Sequence, residues 1–245
     1  MLNDKSKIRY TRQIPIKNWG EAIQLKLQNS KVFIAGAGGL GSPVILYLAS
    51  AGIGTIHICD NDTLQLHNLN RQIIHRESFI DKNKSESAVQ SVQSYNSDIT
   101  ILGFNETITN DNVSELIKDC DIIVDCLDNF KTRHILNKTA IDLKKPLVHG
   151  GIEEFNGQLS FIHYPHTPCL GCFLPQKDSP RKPNVVGSTA GIIGSMQASE
   201  VIKYLTGIGD LLKNRILFWD GMRMTSHTIV VKPDKNCKIC STLRS

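Results

Sequence analysis

Two kinds of charged group share one long loop of this chain. The segment CDNDTLQLHNLNRQIIH, residues 59–75, places acids directly after an apolar strand and an arginine further along. Asp60 lies about 20 residues beyond a glycine-rich run, where a carboxylate can accept hydrogen bonds from ribose hydroxyls. The guanidinium group of Arg71 can bind phosphate oxygens. The loop therefore predicts a site for ATP, with the acid on the ribose and the arginine on the phosphates.

The glycine-rich run supports this prediction. The segment GAGGLGSP follows the apolar strand KVFIA and contains Gly36, Gly38, Gly39 and Gly41. Glycines permit a tight turn, and the N-terminus of the helix that follows favours an anion. A lone glycine loop of this kind can also serve only to pack a helix against a strand, so the prediction depends on its neighbours.

Two further features complete the predicted site. Asp128 and Asn129 follow the strand DIIVDC, where Asp128 suits a metal ion or, alternatively, caps the next helix. The chain has no GK[ST] ending of a P-loop, so a triphosphate needs cations from elsewhere. Arg71 and Lys84, which begins the following helix, can supply them. The alternative for each cation is an ordinary charge on a solvated surface.

The elements that position these residues form an alternating pattern. The segments KVFIA, TIHIC, DITILGF, DIIVDC and PLVHGGI read as strands separated by helices, which is typical of a doubly wound, mainly parallel, Rossmann-like α/β sheet. In such sheets the ligand crevice lies at the carboxyl ends of the strands. We predict one domain, with an N-terminal arm and helix (1–30), a nucleotide-binding core (31–152) and a β-rich extension (153–245).

Four cysteines form two CxxC pairs in the extension, Cys169 with Cys172 and Cys237 with Cys240. Four thiolates suit tetrahedral zinc and leave no open position for catalysis, so a metal here would be structural. The alternative is four unligated thiols. The remaining cysteines, Cys59, Cys120 and Cys126, lie in or beside predicted strands and are expected to be buried as small apolar groups.

Composition excludes several classes of protein. The net charge of +5 over 245 residues is mild and spread along the chain, without the basic stripe expected of a nucleic-acid-binding protein. No apolar run reaches membrane-spanning length, and the N-terminus does not resemble a secretory signal. Cysteines paired as CxxC indicate a reducing compartment, so the cytoplasm is the expected location.

Several motifs together resemble the ThiF/MoeB/HesA superfamily of adenylyltransferases, which are related to ubiquitin-activating enzymes. They are GAGGLGS, DND with NLNRQIIH, DKNKSESA, DCLDN and GSMQASEVIKYLTG. The resemblance implies that Asp60 holds the ribose of ATP, Asp128 holds Mg²⁺ and the four cysteines hold a structural zinc ion. It also implies that Asn68, Arg71 and Lys84 hold the phosphates, and that Arg12 reaches into the partner subunit's site of a homodimer.

The same resemblance implies the substrate, the C-terminal glycine carboxylate of a ubiquitin-like (β-grasp) sulfur-carrier protein. Between Cys172 and Cys237 the chain has no cysteine for a thioester or persulfide, so sulfur is expected from a separate donor such as a cysteine desulfurase or a rhodanese. The basic residues Lys177, Arg181 and Lys182 are expected to cover the carrier's tail. Three alternatives remain open: adenylation of a small carboxylate, as in tRNA threonylcarbamoyladenosine dehydratases, an NAD-dependent oxidoreductase, and a carrier-binding scaffold with a vestigial site.

Overall fold

The fold is that of a computed structural model, which describes residues 1–175 and 184–241. The helices of these residues are α1 Asp4–Arg9, α2 Gly20–Gln28, α3 Gly41–Ala51, α4 Lys84–Tyr95, α5 Val113–Ile117, α6 Phe130–Asp142 and α7 Gly187–Thr206. The strands are β1 Lys31–Ala35, β2 Thr55–Cys59, β3 Thr100–Phe104, β4 Ile122–Asp125, β5 Leu147–Glu153, β6 Asn156–Ile162, β7 Arg215–Asp220 and β8 Thr225–Val230. Within the described ranges, no helix is both long and apolar enough to cross a membrane.

All eight strands belong to one sheet, in the order β3-β2-β1-β4-β5-β6-β7-β8. The first five in this order pair in parallel, and β6, β7 and β8 add antiparallel strands at one side. The predicted Rossmann-like α/β class is therefore confirmed. The β-rich extension continues the same sheet.

Both faces of the sheet are covered, as alternation along β1 shows. Val32 and Ile34 lie in an apolar cluster with residues of α3, α4 and α7, whereas Phe33 and Ala35 lie in a second cluster with residues of α5 and α6. All four are fully buried. Because successive side chains of a strand point to opposite faces, a short apolar run of this kind fits a central strand between two helical layers.

The predicted elements differ from the observed ones mainly at their ends. The expected polar arm contains the short helix α1, whose N-cap Asn3 accepts a hydrogen bond from the amide of Ser6. The helix α7, which contains most of the motif GSMQASEVIKYLTG, begins seven residues before that motif, at Gly187. This additional length carries the start of α7 to the edge of the sheet where the predicted site lies.

Candidate nucleotide site and cysteine cluster

Three neighbouring parallel strands end at the same level. Ala35, the last residue of β1, is in register with Cys59 of β2 on one side and with Asp125 of β4 on the other. The glycine loop, the 60–75 loop and the segment that carries Asp128 leave these strands in turn. The predicted convergence of the three strand ends is confirmed.

The glycine loop turns through positions that exclude side chains. Gly36 has a φ of +99°, and a Cβ there would lie 2.8 Å from the carbonyl oxygen of Cys126. A Cβ on Gly41 would lie 2.0 Å from the carbonyl oxygen of Gly36. Gly38 and Gly39 are partly exposed, and no side chain caps α3. The turn therefore presents open backbone at a helix N-terminus, which suits a phosphate group.

Asp60 is fixed against this turn. Its Oδ2 accepts a hydrogen bond of 2.8 Å from the amide of Ala37, and its Oδ1 accepts one of 2.9 Å from the amide of Asp62. Burial raises the pKa of the Asp60 carboxyl, while the charge of Lys84 and the two amide hydrogen bonds act to lower it. Asp60 thus has a fixed direction at the strand end where a ribose is expected.

Arg71 lies between the glycine loop and the start of α7. Its Cγ is 3.5 Å from the position that a Cβ on Gly39 would take, and its Cα is 3.2 Å from the corresponding position on Gly187. Its Nη1 donates hydrogen bonds to the carbonyl of His67 at 3.1 Å and to Oδ1 of Asn70 at 2.8 Å. Hydrogen bonds to His67 and Asn70 of the same loop therefore hold the guanidinium group beside the glycine loop.

Lys84 is a buried cation at the first position of α4. Its amide donates to the carbonyl of Asp62 at 2.9 Å, and its Nζ lies 2.7 Å from Oδ2 of the same residue. Asn83 caps the helix by accepting from the amides of Ser85 and Glu86. The alternative of a solvated surface charge is wrong for Lys84, since its side chain is only 7% exposed.

Two buried polar residues of the same loop complete the contacts. The imidazole of His75 lies 2.8 Å from the carbonyl oxygen of Ala37 and 2.8 Å from Oγ of Ser87, so it joins the glycine loop to α4. Gln72 was missed by sequence reasoning, because its only signal was its place beside Arg71. Its Nε2 is 3.5 Å from the position of a Cβ on Gly38, and its buried Oε1 has no hydrogen-bond partner within the described part of the chain.

Asn68 and Arg12 occupy less direct positions. Asn68 is buried, and its Oδ1 accepts from the amide of Gln65 at 3.0 Å, which closes a single 3₁₀ turn in the loop. Arg12 is exposed. Its neighbour Gln13 donates to the carbonyl of Ala51, the last residue of α3, which puts Arg12 about 15 Å along that helix from the glycine loop. The phosphate role of Asn68 and the action of Arg12 in a partner subunit remain predictions.

Asn129, the neighbour of Asp128, caps α6. Its Oδ1 accepts a hydrogen bond of 2.9 Å from the amide of Thr132. The alternative that Asp128 serves only as the helix cap is therefore wrong. Asp128 is exposed and makes no side-chain hydrogen bond or ion pair with the residues that the structure describes. Its oxygens suit a hard cation such as Mg²⁺, which prefers carboxylate and water ligands.

The four paired cysteines come together as predicted. Their sulfur atoms all lie within 4.8 Å of one another, with distances of 3.6 Å for Cys169–Cys237, 3.6 Å for Cys172–Cys240 and 4.0 Å for Cys169–Cys172. Tetrahedral zinc with Zn–S bonds of about 2.3 Å would place its ligands about 3.8 Å apart. The cluster therefore fits zinc closely, and with four protein ligands such an ion would be structural.

The other three cysteines are buried, as predicted. Burial raises the pKa of Cys59 and of Cys120 to about 12, and raises that of Cys126 well above its usual value. Because the thiolate is the nucleophile, none of the three is prepared for covalent chemistry. The predicted cover of Lys177, Arg181 and Lys182 lies outside the described residues.

Fold and site together define a Rossmann-like α/β protein with an open glycine loop at its strand ends and a four-cysteine cluster that could hold a metal ion. The model of the ThiF family matches residues 10–240, and the chain belongs to this family. The predicted superfamily is therefore confirmed.

The chain is also similar to proteins named adenylyltransferase and sulfurtransferase MOCS3. The one from Aedes aegypti is 39% identical over 247 residues, which cover 98% of this chain and 56% of that protein. The one from Caenorhabditis briggsae is 38% identical over 240 residues, which cover 95% of this chain and 60% of that protein. The chain thus spans a little over half the length of these curated relatives, which are named as enzymes.

Solved structures confirm the fold. A crystal structure of E. coli MccB with ATP has a TM-score of 0.82 and 23% identity, over 95% of this chain and 76% of that one. Another crystal structure, of E. coli MccB with MccA-N7isoASN, has a TM-score of 0.85 and 24% identity, over 98% of this chain and 76% of that one.

Proposed function

We propose that this protein is an adenylyltransferase that uses ATP to activate the C-terminal glycine carboxylate of a ubiquitin-like sulfur-carrier protein. The observation that carries the proposal is the arrangement of Arg71 and Lys84 around the open glycine turn, with Asp60 at the neighbouring strand end. Family membership and the names of the curated relatives support adenylyl transfer.

The residues present fit ATP. The partly exposed Gly38 and Gly39 leave backbone open to the phosphates, beside the guanidinium-bearing Arg71. Asp60 would accept the ribose hydroxyls, and the unpartnered Oε1 of Gln72 leaves an acceptor at the same turn. Asn68 and Lys84 complete the proposed phosphate contacts.

The reaction needs charge compensation more than proton transfer. A terminal carboxyl has a pKa of about 3.5, so it is ionised at neutral pH and needs no general base. One of its oxygens would bond to the α-phosphorus of ATP as the bond from that phosphorus to the β-phosphate oxygen breaks, which gives an acyl-adenylate and pyrophosphate. Arg71 and Lys84 would hold the phosphates in line for this displacement. Asp128 would hold Mg²⁺, which supplies further positive charge against the phosphates when bound.

Sulfur transfer is assigned to a different site. The relatives' names join adenylyl transfer with sulfur transfer, and this chain spans only part of their length. Its Cys59, Cys120 and Cys126 are buried with raised pKa values, and four other cysteines form the metal cluster. We therefore assign the attack on the acyl-adenylate to a separate donor, such as a cysteine desulfurase or a rhodanese.

A homodimer would complete the site. Arg12 lies at the far end of α3 from the glycine loop of its own chain, so it would act in the site of a partner subunit. Beside it, a groove of about 310 Å³ lies between α3 and α7. Its lining includes the half-exposed Tyr47 and the partly buried Ile202. An Arg12→Ala variant mixed with an Arg71→Ala variant should regain activity, since one site of the mixed dimer is intact.

The experiment that tests the proposed function is the intact mass of candidate carriers after incubation with this protein, ATP and Mg²⁺. We expect a mass increase equal to one AMP and an equivalent release of pyrophosphate. A carrier that ends in alanine is the matched control. Thermal protection by NAD and none by ATP would instead favour an oxidoreductase, and AMP on a small carboxylate but on no carrier would favour the dehydratase type.

A further inference from the structure

We propose that Arg133 is a positioning residue that fixes the segment carrying Asp128 for its metal ion. The inference rests on the proposed function and deepens it, because it names the group that sets the position of the proposed Mg²⁺ ligand. Arg133 lies in the first turn of α6 and is nearly buried, with 8% of its side chain exposed.

Arg133 links the segment after β4 to the middle of β5 through one nitrogen. Its Nη2 donates hydrogen bonds to the carbonyl oxygen of Leu127, the residue before Asp128, and to that of Gly150 in β5, the latter at 2.9 Å. β5 is the neighbour of β4 in the sheet. The guanidinium group thus ties the segment after β4 to the adjacent strand.

Asp125, the last residue of β4, holds the same segment from the other side. Its fully buried carboxylate accepts from the amide of Leu127 at 3.1 Å and lies 3.4 Å from Nε of Arg133. Its Oδ2 is also 2.7 Å from Nδ1 of His149. Leu127 is therefore bound through both its N–H and its C=O, so neither of the two peptide planes that flank its Cα can rotate without breaking one of these contacts.

The residues after Asp128 are fixed as well. The guanidinium carbon of Arg133 lies 5.6 Å from the ring centroid of Phe130, and Asn129 caps α6. Asp128 is thus an exposed side chain between two anchored neighbours. Only its own side-chain torsions remain to be ordered when a cation binds.

A stability role explains this arrangement poorly. Burial works to raise the pKa of Asp125, yet the charge of Arg133 and the hydrogen bond from His149 hold it below its usual range, so the acid is ionised. Removing two charges from water costs about as much as their attraction returns, and apolar replacements of buried pairs are often at least as stable. Both members of the pair form a hydrogen bond with Leu127, the residue that precedes Asp128, which positioning explains directly.

The test compares Arg133→Lys with Lys138→Met in the full chain. Lysine keeps a positive charge, but its single nitrogen cannot both donate to the two carbonyls and lie beside Asp125, as Nη2 and Nε of the arginine do. Lys138 lies on the same helix and, among the residues that the structure describes, pairs only with the exposed Asp142, at 2.7 Å. We would measure ATP binding by calorimetry over a range of Mg²⁺ concentrations, and amide hydrogen exchange at Leu127 in the protein without nucleotide.

In Arg133→Lys we expect the Mg²⁺ concentration for half-maximal enhancement of ATP binding to rise about tenfold, as when supports of metal ligands are removed. Binding of ATP without Mg²⁺ should not change, and exchange at Leu127 should be faster. Lys138→Met should match the wild type in its Mg²⁺ requirement, in ATP binding without Mg²⁺ and in exchange at Leu127. If Arg133→Met folds, its Mg²⁺ requirement and its exchange rate at Leu127 should rise more than those of Arg133→Lys. If it does not fold, the comparison of Arg133→Lys with the wild type is sufficient.

Two results would overturn the inference, and they show whether the proposed function fails with it. If the wild type shows Mg²⁺-dependent ATP binding and Arg133→Lys has the same Mg²⁺ requirement, positioning fails while the function stands. If the wild type binds no nucleotide, the proposed function and the inference fail together.

Discussion

The Nζ of Lys84 lies 2.7 Å from Oδ2 of Asp62, and the two partners differ in exposure, with 7% of the lysine side chain and 65% of the aspartate side chain open to solvent. The pair therefore joins a buried cation to an exposed acid that can turn into solvent, and Lys84 stays paired only if another anion takes the place of the acid. Asp62 can hold Lys84 in place until a phosphate replaces it.

This relationship predicts that Asp62→Asn strengthens ATP binding. Removal of the competing carboxylate should lower the Kd by about two- to fivefold, which corresponds to about 0.4–1 kcal/mol. Lys84→Met should weaken binding by about tenfold or more, because it removes a charged hydrogen-bond donor. Calorimetric titration with ATP measures both. Glu86→Gln, an exposed acid on the same helix, is the matched control, and an unchanged or weaker Kd for Asp62→Asn would contradict the exchange of partners.

Asp128→Ala should abolish adenylation while the fold stays intact. The side chain is exposed and packs into no apolar cluster, so the melting temperature should be unchanged. Loss of the proposed metal ligand should reduce ATP–pyrophosphate exchange by about 10²–10³-fold, the size expected for one electrostatic group. Asp142→Ala, at the other end of α6, should retain full exchange. Exchange within a factor of a few of the wild type would refute the assignment of Asp128.

The cysteine cluster predicts one equivalent of zinc per chain. Cys172→Ser and Cys240→Ser should each lose the metal together with thermal stability, because the site would have only three thiolates. Cys59→Ser, which lies outside the cluster, should retain it. Metal analysis of protein purified without chelator makes the measurement. A full complement of zinc in Cys240→Ser would show that the four sulfurs are not the ligands.

The remaining cysteines predict an absence of covalent intermediates. Replacing Cys59, Cys120 and Cys126 with alanine should spare adenylation, with packing losses of about 1 kcal/mol each. Incubation of enzyme, carrier and ATP without a sulfur donor should give carrier-AMP and no conjugate that reductant removes. A reductant-sensitive band on non-reducing gels that maps to one of these cysteines would mean that the enzyme itself takes part in transfer.

His75 predicts a loss of stability at acidic pH. Burial lowers the pKa of its imidazole to about 4, whereas in the unfolded chain it titrates near about 6.5. Between about pH 6.5 and pH 4, His75 binds a proton in the unfolded chain but not in the folded protein. The contribution of His75 to the free energy of unfolding is therefore fully present above about pH 6.5 and decreases towards about pH 4. This one group contributes about 2–3 kcal/mol to the fall.

Urea unfolding at a series of pH values tests this assignment. The free energy of unfolding should depend less on pH in His75→Gln than in the wild type, even though the variant is less stable at neutral pH. His67→Gln, an exposed histidine of the same loop, should keep the wild-type slope. Equal slopes in all three proteins would show that His75 titrates normally in the folded state.

The sequence predicted the parts of the site whose signal is local. The strands KVFIA and TIHIC have the predicted ends, because short apolar runs between turns leave little choice of boundary. The sequence gives no start for α7, because a helix that begins with Gly187 has weak local propensity and its first residue is packed closely against Asn70 and Arg71. Asp125, Arg133 and His149 carry no shared motif, and only the pairing of β4 with β5 brings them together.

The cysteine cluster has a consequence for the lifetime of the protein. Cys169 and Cys237 are 68 positions apart, and α7, β7 and β8 lie between them. Closing a loop of this size restricts the unfolded chain by an amount equivalent to about 4 kcal/mol, comparable with much of a domain's total stability. A cell short of zinc would accumulate chains whose last strands detach readily and are open to proteases. The amount of this enzyme would then follow zinc supply, although the ion would touch no reacting atom.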